Sequence, residues 1–120
     1  MERVVLFICP HGAGKSRMAA AFFNRVAPPG WVATTAGIEP QATVSVHAGR
    51  LLGGTDAAGL LDQTVPRPIA AVADPARVVA IDCDVPGTAR WALDHQQFDQ
   101  GMRDELRDRA EALAHEVGRG

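Results

Sequence analysis

Val4-Val5-Leu6-Phe7-Ile8-Cys9-Pro10-His11-Gly12-Ala13-Gly14-Lys15-Ser16-Arg17-Met18 decides how the chain is read. An apolar, β-branched run ends at a cysteine, crosses a short loop with two glycines and enters an alanine-rich segment. A run that is apolar at every position is the pattern of a strand buried on both faces. A loop of this kind between strand and helix aims backbone N–H groups at one point, in front of a helix N-terminus that favours negative charge. A cysteine at the mouth of such a nest has its thiolate stabilised by the same donors.

Outward from this stretch, strands and helices alternate. Residues 3–8 form the first strand. Lys15 to Val26 form a helix with Met18, Phe22 and Val26 on one face, ended by Ala27-Pro28-Pro29-Gly30. Residues 31–37 read as a second strand and 41–52 as a second helix, stopped by Gly53-Gly54. Residues 55–76 carry the weakest pattern: a helical turn or two within Asp56 to Leu61, extended chain through Val65-Pro66-Arg67-Pro68, and a short helix from Ile69 to Ala73. Residues 78–81 give a third strand with Asp82-Cys83-Asp84 at its end, and residues 90–93 a short fourth one. The last helix is expected over 97–117, with Phe98, Met102, Leu106, Ala110, Leu113 and Val117 inward. Apolar strands alternating with helices argue for an α/β fold, a four-stranded parallel sheet with helices on both faces. Ligands then bind at the carboxyl ends of the strands, the edge that carries the Cys9 loop, Asp82-Cys83-Asp84 and Asp94-His95.

Length and charge narrow the function. The 120 residues suffice for a single domain, 1–120, with one core. A net charge of −2 supplies no field of the kind that gathers nucleic acid, so no nucleic-acid partner is expected. No apolar run has the length of a membrane span, and Met1-Glu2-Arg3 leads straight into a strand without a cleavable leader; a cytoplasmic protein without a membrane partner is the expectation. Cys9 and Cys83 form neither a disulfide framework nor a zinc pattern, and with four scattered histidines neither a metal site nor a cofactor is expected. Eleven arginines stand against one lysine, and that lysine is Lys15, inside the anion loop.

Two phosphate-loop motifs compete for residues 9–16. The nucleotide loop G-x-x-x-x-G-K-[ST] fits Cys9 to Ser16 with cysteine in place of the first glycine, and Asp82 or Asp84 would then hold Mg²⁺. The alternative is a cysteine phosphate loop, Cys-x5-Arg-Ser, with Lys15 where the arginine belongs and Ser16 on the serine. In that register the chain resembles the low-molecular-weight protein-tyrosine phosphatases and the thiol-dependent arsenate reductases. Ser16-Arg17-Met18-Ala19-Ala20-Ala21-Phe22 is similar to that family's helix start, and Thr35-Ala36-Gly37-Ile38-Glu39-Pro40 to its Ser-Ala-Gly-Thr-Glu-Pro. Val78 to Asp84, Trp91 and Met102-Arg103-Asp104-Glu105-Leu106 continue the resemblance in order and spacing, with 55–76 matching least.

The resemblance implies a low-molecular-weight phosphatase-like fold and a cysteine-dependent hydrolase of protein-tyrosine or small aryl phosphates. Cys9 would be the nucleophile, or else a small buried hydrophobe. Ser16 would hydrogen-bond the thiolate, cap the helix, or both. The oxyanion would be held by His11, Gly12, Ala13, Gly14, Lys15 and Ser16. Lysine brings charge without the two-pronged grip of arginine. His11 either donates to the anion or is an exposed loop residue, and Arg17 is expected on the surface. The family's acid, an Asp-Pro after the tryptophan, is displaced: Asp94 falls one place early and His95 fills its slot. Asp94 or His95 is therefore the catalytic acid, or neither is, and Asp94 is otherwise the N-cap of the last helix. Cys83 lies near the position of a resolving cysteine in the reductases, so arsenate reduction with a thiol or thioredoxin-type partner is the alternative, with Cys83 either a redox relay or an ordinary buried thiol. A homologue that binds phosphate without turnover is the third reading.

Overall fold

The structure, a computed structural model, describes residues 2–119. Strand β1 (Arg3–Cys9) leads through the glycine loop into α1 (Lys15–Arg25), followed by β2 (Trp31–Gly37) and α2 (Val46–Leu52). Two 3-10 turns, Ala58–Leu60 and Ile69–Ala71, precede β3 (Arg77–Ile81), β4 (Ala89–Trp91) and α3 (Gln100–Arg119). The four strands are all parallel in the order β2-β1-β3-β4. The chain leaves β1 first toward β2 and later returns to its other side with β3, so the order reverses at β1. The crevice of a doubly wound sheet therefore opens at the carboxyl end of β1, where Cys9 stands.

β1 is buried from Val5 to Cys9, as its unbroken apolar run requires. Alternation divides its side chains: Val5, Phe7 and Cys9 enter the larger core, and Leu6 and Ile8 a smaller one. Each such large side chain contributes about 1.5–3 kcal/mol on burial. Both faces of the sheet are covered, but unequally. All three α-helices contribute to the larger core, whereas the smaller one is closed by Ile69, Val72, Val78, Cys83 and Val85. On α3 the inward residues are Met102, Leu106, Ala110, Leu113, Ala114 and Val117, the helical spacing expected for one buried face.

Several boundaries move, each for a local reason. α2 begins at Val46 because Ser45 is its N-cap and accepts from the His47 N–H at 3.2 Å; residues 41–45 run past the glycine loop instead. α3 begins at Gln100 because the Asp99 carboxylate accepts from the Met102 N–H at 3.1 Å, so Asp99 and not Asp94 caps it. β4 ends at Trp91, and the Leu93 N–H goes to Asp82 Oδ1 at 2.9 Å rather than to a sheet. Val26, expected on the inner face of the first helix, is partly exposed beyond its end.

The main correction concerns Arg17, which is fully buried rather than on the surface. Its Nε donates to the Gly12 carbonyl at 2.9 Å, and its Nη1 to the Asp62 carbonyl at 2.8 Å and to Asp62 Oδ1 at 3.3 Å. Arg67 grips the other Asp62 oxygen at 2.9 Å, and also Thr34 and the Thr35 carbonyl. The Arg67 carbonyl accepts from the Gly37 N–H, and Pro68 bridges Gly37 in parallel, so this segment covers the open edge of β2. The patternless stretch 62–68 is thus the lid over Arg17. Burial pushes the Asp62 carboxyl up, but hydrogen bonds from Thr64 and Arg67 and the Arg17 charge outweigh it and hold the group at about 2.

The glycine loop crosses the end of β2 at backbone contact distance. Gly12 has φ +63°, and a Cβ there would lie 2.7 Å from the Gly37 nitrogen. A Cβ on Gly37 would lie 2.5 Å from the His11 carbonyl carbon, and neither neighbour is a flexible side chain that can yield.

Two outcomes follow. Gly37→Ala should cost about 1–3 kcal/mol in denaturant unfolding, as overpacking against backbone does, and loosen the loop; an unchanged midpoint would contradict the crossing. Asp62 has a folded value near 2 against 3.8 for the free group, so its stabilisation is complete above the free value and is lost as pH falls through 2. Asp62→Asn should therefore be less stable at neutral pH and lose less stability than the parent between pH 4 and pH 2. Parallel pH curves would contradict it.

Candidate active site

Five successive carbonyls at the end of β1 and in the loop are held from outside. Those of Cys9, Pro10 and His11 accept from the N–H groups of Ile38 (3.4 Å), Glu39 (2.9 Å) and Gln41 (3.3 Å). The Gly12 carbonyl accepts from Arg17 Nε, and the Ala13 carbonyl from the Ser45 N–H at 2.9 Å. In a planar trans peptide the next N–H points opposite to the carbonyl. The N–H groups of His11, Gly12, Ala13 and Gly14 are thereby turned to the inner side, and no described residue accepts from them. The loop is a nest, with the first turn of α1 behind it.

Cys9 is buried beside this nest with Sγ 3.1 Å from Ser16 Oγ, which is also buried. The thiol donates to the hydroxyl; once the thiol ionises, the hydroxyl donates to the thiolate instead. Lys15 Nζ lies 2.7 Å from Asp82 Oδ2 in a largely buried pair. Asp82 is a non-glycine residue at φ +54°, a strained conformation held by three further hydrogen bonds: its N–H to the Trp91 carbonyl, and its carboxylate from Leu93 and Gln96. Burial raises the Asp82 carboxyl, but the hydrogen bond from Lys15 and that from Leu93 win, and the group sits below its ordinary value. Its oxygens are committed to these protein donors, and Asp84 is exposed against Arg90, so neither stands ready as the Mg²⁺ ligand of a nucleotide loop. Among the described residues no group of three or more His, Cys, Asp or Glu is placed to hold a metal.

A cavity of about 320 Å³ opens over the loop. Its lining includes Cys9, His11, Lys15, Gln41, Ser45, His47 and Phe98. The rings of His47 and Phe98 stack at 4.9 Å and 18°. Arg50 fixes this wall by donating to His47 Nδ1 and to the Phe98 carbonyl, each at 3.0 Å. A larger depression, about 510 Å³, lies beside Pro28 and His115 and is lined by no cysteine, serine or lysine.

Asp94 and His95 are not among the residues lining the cavity. Both are exposed, and their N–H groups are held by Glu105 at 3.0 and 2.9 Å. Glu105 also bonds His95 Nδ1 at 2.9 Å and accepts from Arg109 at 2.9 Å. Burial opposes its ionisation, but these donors keep the carboxyl at about 2, and its hydrogen bond raises His95. Sequence reasoning missed Glu105, which reads as one more charge on the outer face of α3. Its only signal is the i,i+4 spacing to Arg109. Cys83 packs in the smaller core, its Sγ 3.8 Å from the Ile8 carbonyl, on the face of the sheet opposite to that of Cys9. Burial, then the charge of Cys9, pushes the Cys83 thiol up. Both cysteines are free.

No protein-family model and no curated protein matches the chain. Solved structures do. An arsenate reductase from Archaeoglobus fulgidus superposes with a TM-score of 0.74 at 27% identity, over 92% of this chain and 98% of that one. An arginine phosphatase from Geobacillus stearothermophilus matches with 0.71 at 21% identity, over 96% and 92%. A low-molecular-weight protein tyrosine phosphatase from T. tengcongensis matches with 0.73 at 16% identity, over 96% and 99%. The structural neighbours of this chain are thus arsenate reductases and low-molecular-weight protein tyrosine phosphatases, and it has the α/β fold they share.

Proposed function

We propose that the chain, as one domain over 1–120, is a cysteine-dependent phosphate monoester hydrolase acting on aryl phosphates, of which protein phosphotyrosine is one. The observation that carries this reading is the outward pinning of five carbonyls beside a buried cysteine. Four N–H groups on the inner side are placed to take the oxygens of a tetrahedral dianion, and Lys15 keeps two of its three N–H donors beyond the one spent on Asp82. Cys9 attacks phosphorus and forms an S–P bond as the aryl oxygen departs. Ser16 holds the thiolate before attack and after release, and water then cleaves the S–P bond to give inorganic phosphate. The flat His47–Phe98 wall suits a planar leaving group. We place the reaction in the cytoplasm, where two free cysteines are the common state; among the described residues no helix is long and apolar enough to cross a membrane.

The second reading is arsenate reduction, favoured by the 27% identity to the Archaeoglobus enzyme. Cys9 would take arsenate in the same cradle. With Cys83 on the other face of the sheet, the reducing thiol would come from a small thiol or a thioredoxin-type partner.

Turnover of 4-nitrophenyl phosphate, and of arsenate with added thiol, separates the two. The first should proceed and fall to background in Cys9→Ser, while Cys9→Ser still binds inorganic phosphate. Arsenate turnover alone would favour the second reading, and neither activity would overturn both. Lys15→Arg should raise kcat/KM for the aryl ester about tenfold by restoring a forked grip on two oxygens; a fall would show that the lysine is matched to its pocket.

A further inference from the structure

The reaction above needs a group that protonates the departing oxygen and then takes a proton from water, and no carboxylate lines the cavity. Two imidazoles do, and their neighbours fix them in opposite tautomers. A backbone carbonyl only accepts, so His11 Nδ1, 3.2 Å from the Glu39 carbonyl, carries a proton and donates it. The remaining nitrogen, Nε2, is free to gain or lose a proton while Nδ1–H stays anchored. A guanidinium only donates, so His47 Nδ1, 3.0 Å from Arg50 Nη2, accepts, and the neutral ring carries its proton on Nε2. To become an acid, His47 would have to take a second proton on the nitrogen that faces Arg50. It can hold a substrate oxygen but cannot cycle.

We infer that His11, two residues from the nucleophile, is the general acid and base of this site, taking the role that the displaced Asp94 leaves open. The inference rests on the hydrolase reading. In the first step Cys9 Sγ bonds to phosphorus, the P–O bond to the aryl group breaks, and the Nε2 proton of His11 passes to the departing oxygen. In the second step water bonds to phosphorus, its proton passes to His11 Nε2, and the S–P bond breaks to return the thiolate. Ester and water are consumed, alcohol and phosphate are formed, and His11 ends as it began. The Glu39 carbonyl keeps Nδ1–H engaged throughout the cycle.

The test is leaving-group dependence. His11→Asn retains a donor for the Glu39 carbonyl but has no second nitrogen. It should lower kcat/KM for phenyl phosphate about 10²- to 10³-fold, the range of general acid catalysis, and that for 4-nitrophenyl phosphate less than about tenfold, because nitrophenolate departs without a proton. Its Kd for inorganic phosphate should stay within about threefold of the parent. His11→Ala should regain phenyl phosphate turnover with added imidazole. Asp94→Asn should change neither substrate's rate more than about threefold. Equal losses on the two esters, absent imidazole rescue, or a loss in Asp94→Asn that deepens with the poorer leaving group would each overturn the assignment of His11. Failure of the parent to turn over either ester would overturn the hydrolase reading itself, and this assignment with it.

Discussion

The site depends on a constraint that no single side chain supplies: the carbonyls of residues 9–13 are each occupied from outside. Four of the five donors are backbone N–H groups or Arg17 at the turn after β2 and at the start of α1, and the fifth is the N–H of the Ser45 cap. Because a peptide cannot point its two polar groups the same way, occupying the carbonyls is what orients the N–H groups. The remaining architecture can be understood as support. Gly12 and Gly37 let the two backbones meet, Ser45 is freed for the loop by starting α2 late, and the 62–68 segment keeps Arg17 dry and charged against Asp62. An arginine with no exposure is tolerated because its three contacts, to the Gly12 and Asp62 carbonyls and to Asp62 Oδ1, are to groups that only accept; one nitrogen, Nη2, has no partner among the described residues.

Charge is treated differently from geometry. The cation of the loop, Lys15, is paired with Asp82, so much of its field is cancelled within the protein and the pull on an anion falls more heavily on oriented amides. The same Asp82 takes up the Leu93 N–H and Gln96, tying the segment after β4 to the loop cation. A lysine without a rigid fork thus acquires one fixed partner and keeps two donors free, which restores part of the positional order that arginine has intrinsically.

The fold was legible in the sequence where burial is uniform. The unbroken apolar runs at 4–8 and 78–81 and the spaced apolar residues from Met102 to Val117 leave little choice of structure. What the sequence concealed depends on long-range partners. Arg17 looks external because its cover is a patternless segment some 45 residues away, and nothing local marks Asp62 as its partner. The Lys15–Asp82 pair spans 67 residues. Asp94 and Asp99 are equally good caps by type; Glu105 takes up the N–H groups of Asp94 and His95, and Asp99 accepts from the Met102 N–H. The opposite tautomers of His11 and His47 follow from a carbonyl at 39 and a guanidinium at 50, neither of which residue type or spacing discloses.

The central claim is that the amides of residues 11–14 form the anion site. Titrating inorganic phosphate into ¹⁵N-labelled protein tests it directly, because each amide reports separately and Lys15, the single lysine of the chain, gives one side-chain signal. Saturable shifts largest at His11, Gly12, Ala13 and Gly14, with a smaller movement of the Lys15 ammonium, are the predicted result. Shifts centred elsewhere, or none at these four amides at saturating phosphate, would contradict the account.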